Sequence, residues 1–125
     1  MTGFKLKSSE TTIDSNTGAA MTGVFANIGT GRLNITKSTV DIRVSFYSSE
    51  SAVNSFRSFK SENFLVEGDD YDTYFRVAGS SDVNIDTQIV GQAYAYLQNV
   101  ERLTGNIIDG IPESERVFKD YNFIS

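Results

Sequence analysis

Apolar and polar residues alternate along the first half of the chain with the period of two that marks a strand covered on one face. Val24, Ala26 and Ile28 fall at every second position within 21–28. Gly29-Thr30-Gly31 then reads as a hairpin turn, and the alternation resumes over 32–36 with Leu33 and Ile35. After a turn at Lys37-Ser38 comes the clearest strand, in which Val40, Ile42, Val44 and Phe46 interleave with Asp41, Arg43 and Ser45. One face apolar and one wet is the signature of an antiparallel sheet covered on one side. Ser48-Ser49-Glu50 opens a short helix carrying Ala52, Val53 and Phe56, with a serine placed to cap its first turn. Two more strands, 63–67 and 73–77, flank the polar turn Gly68-Asp69-Asp70-Tyr71-Asp72 and predict a second hairpin.

The period becomes helical over 86–103, where Ile89, Val90, Ala93, Tyr96, Leu97, Val100 and Leu103 form one broad stripe. Asp86 or Thr87 can cap its start, and Gly105 stands where a helix commonly stops. Residues 1–20 read as a flexible Ser/Thr-rich amino-terminal arm, with an extended piece at Phe4 and Leu6 and a brief strand at Thr11-Thr12-Ile13. Residues 105–125 show neither period, although Ile107, Ile108, Ile111, Val117, Phe118, Tyr121, Phe123 and Ile124 are apolar and Pro112 breaks any long helix. The expected fold is α+β: mainly antiparallel sheet of about five to six strands, one long helix packed on a face and one short helix. A β-rich core over 21–104 would lie between the arm and an apolar carboxy-terminal extension.

Composition narrows the chemistry. A length of 125 residues suits one domain, and nine Phe and six Tyr supply large rings for its core. Without cysteine there is neither a disulfide nor a thiolate zinc site. Without histidine the usual general base, the Ser-His-Asp and Cys-His devices and nearly all zinc enzymes fall away. No phosphate-loop motif occurs. The net charge of −5, with 11 scattered Lys and Arg, argues against direct nucleic-acid binding. No apolar run approaches the ~20 residues of a membrane-spanning helix. We therefore expect no enzyme, no catalytic residue and no cofactor.

Two clusters are the remaining candidates. Glu67, Asp69, Asp70 and Asp72 could hold calcium, though not at the spacing of the twelve-residue calcium loop, and Glu67 with Asp70 would be the pair for a small hydrolase. The simpler expectation is a solvated acidic turn. Tyr47, Tyr71, Tyr74, Tyr94 and Tyr96 are the rings on which a carbohydrate-binding module would stack a sugar. Arg43, on the outer sheet face, is expected to pair with a neighbouring acid.

The run Leu33-Asn34-Ile35-Thr36-Lys37-Ser38-Thr39-Val40-Asp41-Ile42-Arg43-Val44-Ser45-Phe46-Tyr47, followed by the Ser/Glu-rich helix start, is one of two familiar segments. The other is Ala93-Tyr94-Ala95-Tyr96-Leu97, preceded by Gln88-Ile89-Val90. In this order, over 22–103, the chain resembles small structural proteins encoded among the tail and baseplate genes of tailed bacteriophages. It departs from them by continuing well past the helix. The resemblance implies a structural virion subunit of the tail, baseplate or neck, made in the host cytoplasm and assembled with other virion proteins and copies of itself. A head-surface accessory protein and a carbohydrate-binding host-attachment module are the alternatives. The residues expected to reach a neighbour are Phe4 and Leu6 on the arm and Val117, Phe118, Tyr121, Phe123 and Ile124 on the extension. If they do, removing 112–125 leaves a folded domain that no longer joins its partner. If both ends fold back on their own domain, the truncated chain unfolds.

Overall fold

The computed structural model describes residues 1–14, 17–34, 36–55, 57–75 and 90–124. Their elements run β1 (Gly3–Leu6), β2 (Thr12–Ile13), β3 (Ala20–Met21), β4 (Phe25–Asn34) and β5 (Thr39–Tyr47), then a 3-10 turn at Ser51–Ser55. There follow β6 (Lys60–Val66), α1 (Gly68–Tyr74), α2 (Val90–Asn99), β7 (Glu101–Ile108), β8 (Ile111–Arg116) and β9 (Tyr121–Ile124). The class is α+β and mostly strand. Ile35, Phe56, Arg76, Val77 and the predicted helix start at 86–89 lie outside the described residues.

Five strands form one antiparallel sheet in the order β6-β5-β4-β1-β9. Its spine is β5, where the alternation is realised directly. Val40, Ile42, Val44 and Phe46 are buried on the inner face, while Asp41 and Arg43 are exposed on the outer one. Arg43 donates from Nη2 to the Ser61 hydroxyl across the β5–β6 pair at 3.1 Å, so the partner found for it is a neutral oxygen. The turn at Ser49 forms as expected, with its Oγ accepting from the Ala52 N–H at 3.2 Å.

Four expectations are corrected. Gly29-Thr30-Gly31 is not a turn: β4 runs straight through it, with a bulge between Ile28 and Thr30 in its pairing with β5. A Cβ on Gly29 would come 2.8 Å from the Ser45 hydroxyl, which can rotate aside, and 3.8 Å from the Arg43 carbonyl oxygen. Next, 68–74 is a helix and not a turn leading into a strand. Asp69 and Asp70 sit in its first turn, where carboxylates meet the positive end of the helix dipole. Tyr71 and Phe75, four apart, are both buried with ring centroids 6.4 Å apart. A helix this short is held by packing more than by propensity.

The third correction concerns the long helix, which ends at Asn99. Its buried side chains Ala93, Tyr94, Tyr96 and Leu97 keep helical spacing. The Val100 N–H still bonds to the Tyr96 carbonyl, but the Val100 carbonyl is taken by the Val117 N–H, and the chain leaves as strand. Leu103 therefore belongs to β7. The fourth is that neither chain end is an appendage. Residues Gly3–Leu6 are an inner strand of the sheet, paired to β4 on one side and to β9 on the other.

The core lies on the inner face of the sheet, between it and the two helices. Phe4, Leu33, Ile42, Val44, Val66, Phe75, Leu97 and Phe118 are its main members. Phe118 stacks on Phe4 with centroids 4.3 Å apart and lies near Phe46 and Phe64 at 6.1 and 6.0 Å. Tyr94 joins helix to sheet. Its hydroxyl accepts from the Ile28 N–H at 3.1 Å and donates to the Thr2 carbonyl at 3.4 Å, so a polar tip is satisfied where its ring is buried.

Candidate interaction surface

Strands β7 and β8 form a two-stranded hairpin separate from the main sheet. Its connection is Asp109-Gly110, both with positive φ (52° and 78°). That is the backbone of the tight two-residue turn for which Asp-Gly is a preferred pair. Glu101 faces Arg116, Arg102 faces Glu115 and Leu103 faces Ser114. After a bulge at 104–106, Ile107 faces Pro112 and Ile108 faces Ile111. The bulge is pinned by side chains: Thr104 Oγ1 donates to Glu113 Oε1 at 2.9 Å and accepts from the Asn106 N–H at 3.2 Å. Gly105 sits in it at φ 91°, where it had been read as a helix stop.

What distinguishes the hairpin is its exposure. Leu103, Ile107, Ile108 and Ile111 are 68, 71, 54 and 69% exposed. Side chains opposite one another across a strand pair share a face. The register therefore sets Leu103, Ile107 and Pro112 on one face and Ile108 and Ile111 on the other, so the outer part of the hairpin is apolar on both sides. Scattered exposed aliphatics are ordinary on protein surfaces, but a contiguous group on one projecting element marks an interaction site. A lone two-stranded hairpin is marginal in water.

The root is tied to the body by polar contacts. Arg102 pairs with Glu62 of β6 at 3.5 Å and Arg116 Nη1 donates to the Gln98 carbonyl at 3.3 Å, while within the hairpin itself Ser114 Oγ donates to Glu101 Oε1 at 3.0 Å. Beside the root an open groove of about 360 Å³ lies between Phe64 of β6 and Val100 and Val117, with Glu62 and Arg102 also lining it.

The residues expected to contact a neighbour fall elsewhere. Phe4, Leu6 and Phe118 are buried within their own domain, and Val117, Tyr121, Phe123 and Ile124 are half-buried. All but Ile124 belong to the core that joins the chain ends, because β9 completes the sheet beside β1 and the Phe118 ring closes over the inner face. The surface residues missed are Leu103, Ile107, Ile108 and Ile111. Asp109-Gly110 between apolar residues was the signal that could have found them.

Neither of the other candidate clusters assembles a site. Glu67 stands at the N-cap position of α1 without a side-chain capping bond, while Asp69, Asp70 and Asp72 follow one another around its short helix. Among the described residues no group of three acidic side chains could hold a metal ion. Of the tyrosines proposed as a sugar platform, Tyr47, Tyr71, Tyr94 and Tyr96 are buried, and half-buried Tyr74 packs edge-on against Tyr96 at 5.7 Å. No described helix is long and apolar enough to cross a membrane. Comparisons with protein-family models, curated proteins and solved structures find no match for this chain.

Proposed function

We propose that this protein is an assembly subunit that acts by protein–protein contact and that it serves as a structural component of a tailed bacteriophage particle, in the tail, baseplate or neck. The observation that supports assembly is the β7–β8 hairpin, with four large aliphatic side chains in water on an element pinned by its own turn and bulge. Exposure of this kind has a physical cost, and covering it with a partner recovers about 25 cal/mol for each Å² of apolar surface removed from water. The contact element is thus the hairpin, not the chain ends. The placement in a phage particle rests on the resemblance of 22–103 to small tail and baseplate proteins.

The test is gold-labelled antibody against this chain, applied to purified particles of a phage whose genome encodes it and viewed by electron microscopy. Label at the tail, baseplate or neck is the expected result. Label on the head would move the protein to the head-surface alternative. Particles free of label, intact and after partial disruption, would remove the virion role altogether.

A further inference from the structure

We propose that the pocket between α1 and α2 binds a primary ammonium ion carried on a short aliphatic stem. This goes beyond the assembly role and does not depend on it. The pocket holds about 260 Å³ and is lined by Asp70 and Tyr74 of α1, Tyr96 and Asn99 of α2, and Val100 and Glu101 where the chain leaves α2. One member of the acidic run and two of the tyrosines therefore meet here, although neither cluster does so as a whole. Tyr96 is the decisive residue. It is only 6% exposed, and its ring meets Tyr74 edge-on at 5.7 Å. Its hydroxyl makes no hydrogen bond among the described residues, yet no described side-chain polar atom is both sealed from solvent and unbonded. The hydroxyl of a ring this deep therefore opens on the pocket its own residue lines. A polar group so buried normally has a partner, and the space left for one is the pocket. Asp70 is near enough that its charge, after burial itself, raises the Tyr96 phenol, as does neighbouring Tyr74.

The chemistry of the lining selects the ligand. Asp70 and Glu101 are carboxylates, which only accept hydrogen bonds. Glu101 engages one oxygen with Ser114 at 3.0 Å and keeps the other. Asn99 has committed its amide nitrogen to the Ala95 carbonyl at 2.9 Å, which leaves its carbonyl oxygen. The two phenols can accept as well as donate. No lysine or arginine lines the pocket. The walls thus offer acceptors and two negative charges, while an ammonium brings three donors, a positive charge and no acceptor. The tyrosine rings add faces to which a cation is drawn, and Val100 gives the stem an apolar wall. Calcium fits less well, because it asks for roughly six to eight oxygens closed tightly around it. The volume is that of about eight waters in the liquid, room for an organic cation and not for a bare ion alone.

Titration of the full chain with butylamine at neutral pH, followed by amide signals in heteronuclear NMR, tests the site. Butylamine should shift the side-chain amide of Asn99 and the backbone of 68–74 and 96–101, whereas butanol, its neutral counterpart, should not at the same concentration. Asp70→Asn should weaken butylamine about tenfold or more, and Tyr96→Phe roughly two- to tenfold. Because the Tyr96 hydroxyl has no partner among the described residues, Tyr96→Phe should leave the urea midpoint unchanged or higher, unlike the loss of a hydroxyl that braces the fold. A lysine blocked at both backbone ends separates two sources of the ammonium. Tighter binding than butylamine points to a lysine side chain of another protein, and weaker binding to a free amine. Equal shifts with butylamine and butanol, affinity unchanged by Asp70→Asn, shifts with calcium chloride where butylamine gives none, or a clear fall in stability on Tyr96→Phe would overturn the site.

Discussion

Gly3 shows how much one position can carry. It sits in β1 directly under the fully buried ring of Phe25, and an added Cβ would come 2.5 Å from the Ala26 carbonyl oxygen and 2.6 Å from the Phe25 ring. Backbone oxygen cannot move aside as a flexible side chain can. Gly3→Ala should therefore destabilise by about 1–3 kcal/mol, seen as a lower urea midpoint with the slope unchanged. Tyr121 is the second informative residue. Burial, then the carboxylates of Glu62 and Asp120, push its phenol up from 10.0 to about 12. Burial likewise raises Tyr94 and Tyr96. A phenol whose pKa is higher folded than unfolded favours the native state fully below the unfolded value, because beyond it the unfolded chain loses its proton first. Stability should thus fall as pH rises from 10.0 toward about 12. Urea midpoints across that range should show a shallower decline for Tyr121→Phe than for the parent chain.

At the scale of elements, the hairpin and the sheet should respond in opposite ways to the same kind of change. Ile107, Ile108 and Ile111 touch little of their own domain, so replacing each with Ser should alter the stability of the monomer by no more than about 0.5 kcal/mol per site. Ile42, 1% exposed at the centre of β5, should cost about 2–5 kcal/mol when cut to Ala. Chemical denaturation in dilute solution measures both. The two helices teach a related lesson. Seven residues are too few for the period of α1 to stand out, and the positive φ of Gly68 invites a turn assignment. The stripe of α2 was legible because Val90, Ala93, Tyr96, Leu97 and Val100 recur over nearly three turns. Leu103 continued that stripe by coincidence of spacing, and only the capture of the Val100 carbonyl by Val117 ended the helix sooner.

Across the whole molecule, the two ends of the chain lie side by side. In β9, Tyr121 pairs with Leu6 and Ile124 with Gly3, and the segment just before it delivers Phe118 to the rings of Phe4 and Phe46. Deleting 112–125 removes an edge strand, the central aromatic of that stack and one side of the hairpin. The truncated chain should lose its cooperative thermal transition, as followed by circular dichroism. A folded truncated chain would show that the stack is dispensable and that the tail is free to serve another partner.

The sequence by itself determined the strand at β5, its buried and wet faces, the α+β class and the helical stripe at the heart of α2. Each of these is a local period, and a period survives because neighbouring residues on one element share one environment. It also contained the Asp109-Gly110 turn, a local signal overshadowed by the irregular residues around it. Only the tertiary structure decided which apolar residues are spent inside the fold and which remain outside. Phe118 and Ile107 are equally aperiodic in the sequence, yet one is 3% exposed and the other 71%. The difference lies in partners far along the chain. Phe4 waits for Phe118 across more than a hundred residues, while the β7–β8 hairpin finds no partner among the described residues to cover its tip. Burial is a property of pairs, and one stretch of chain shows only one member of each pair.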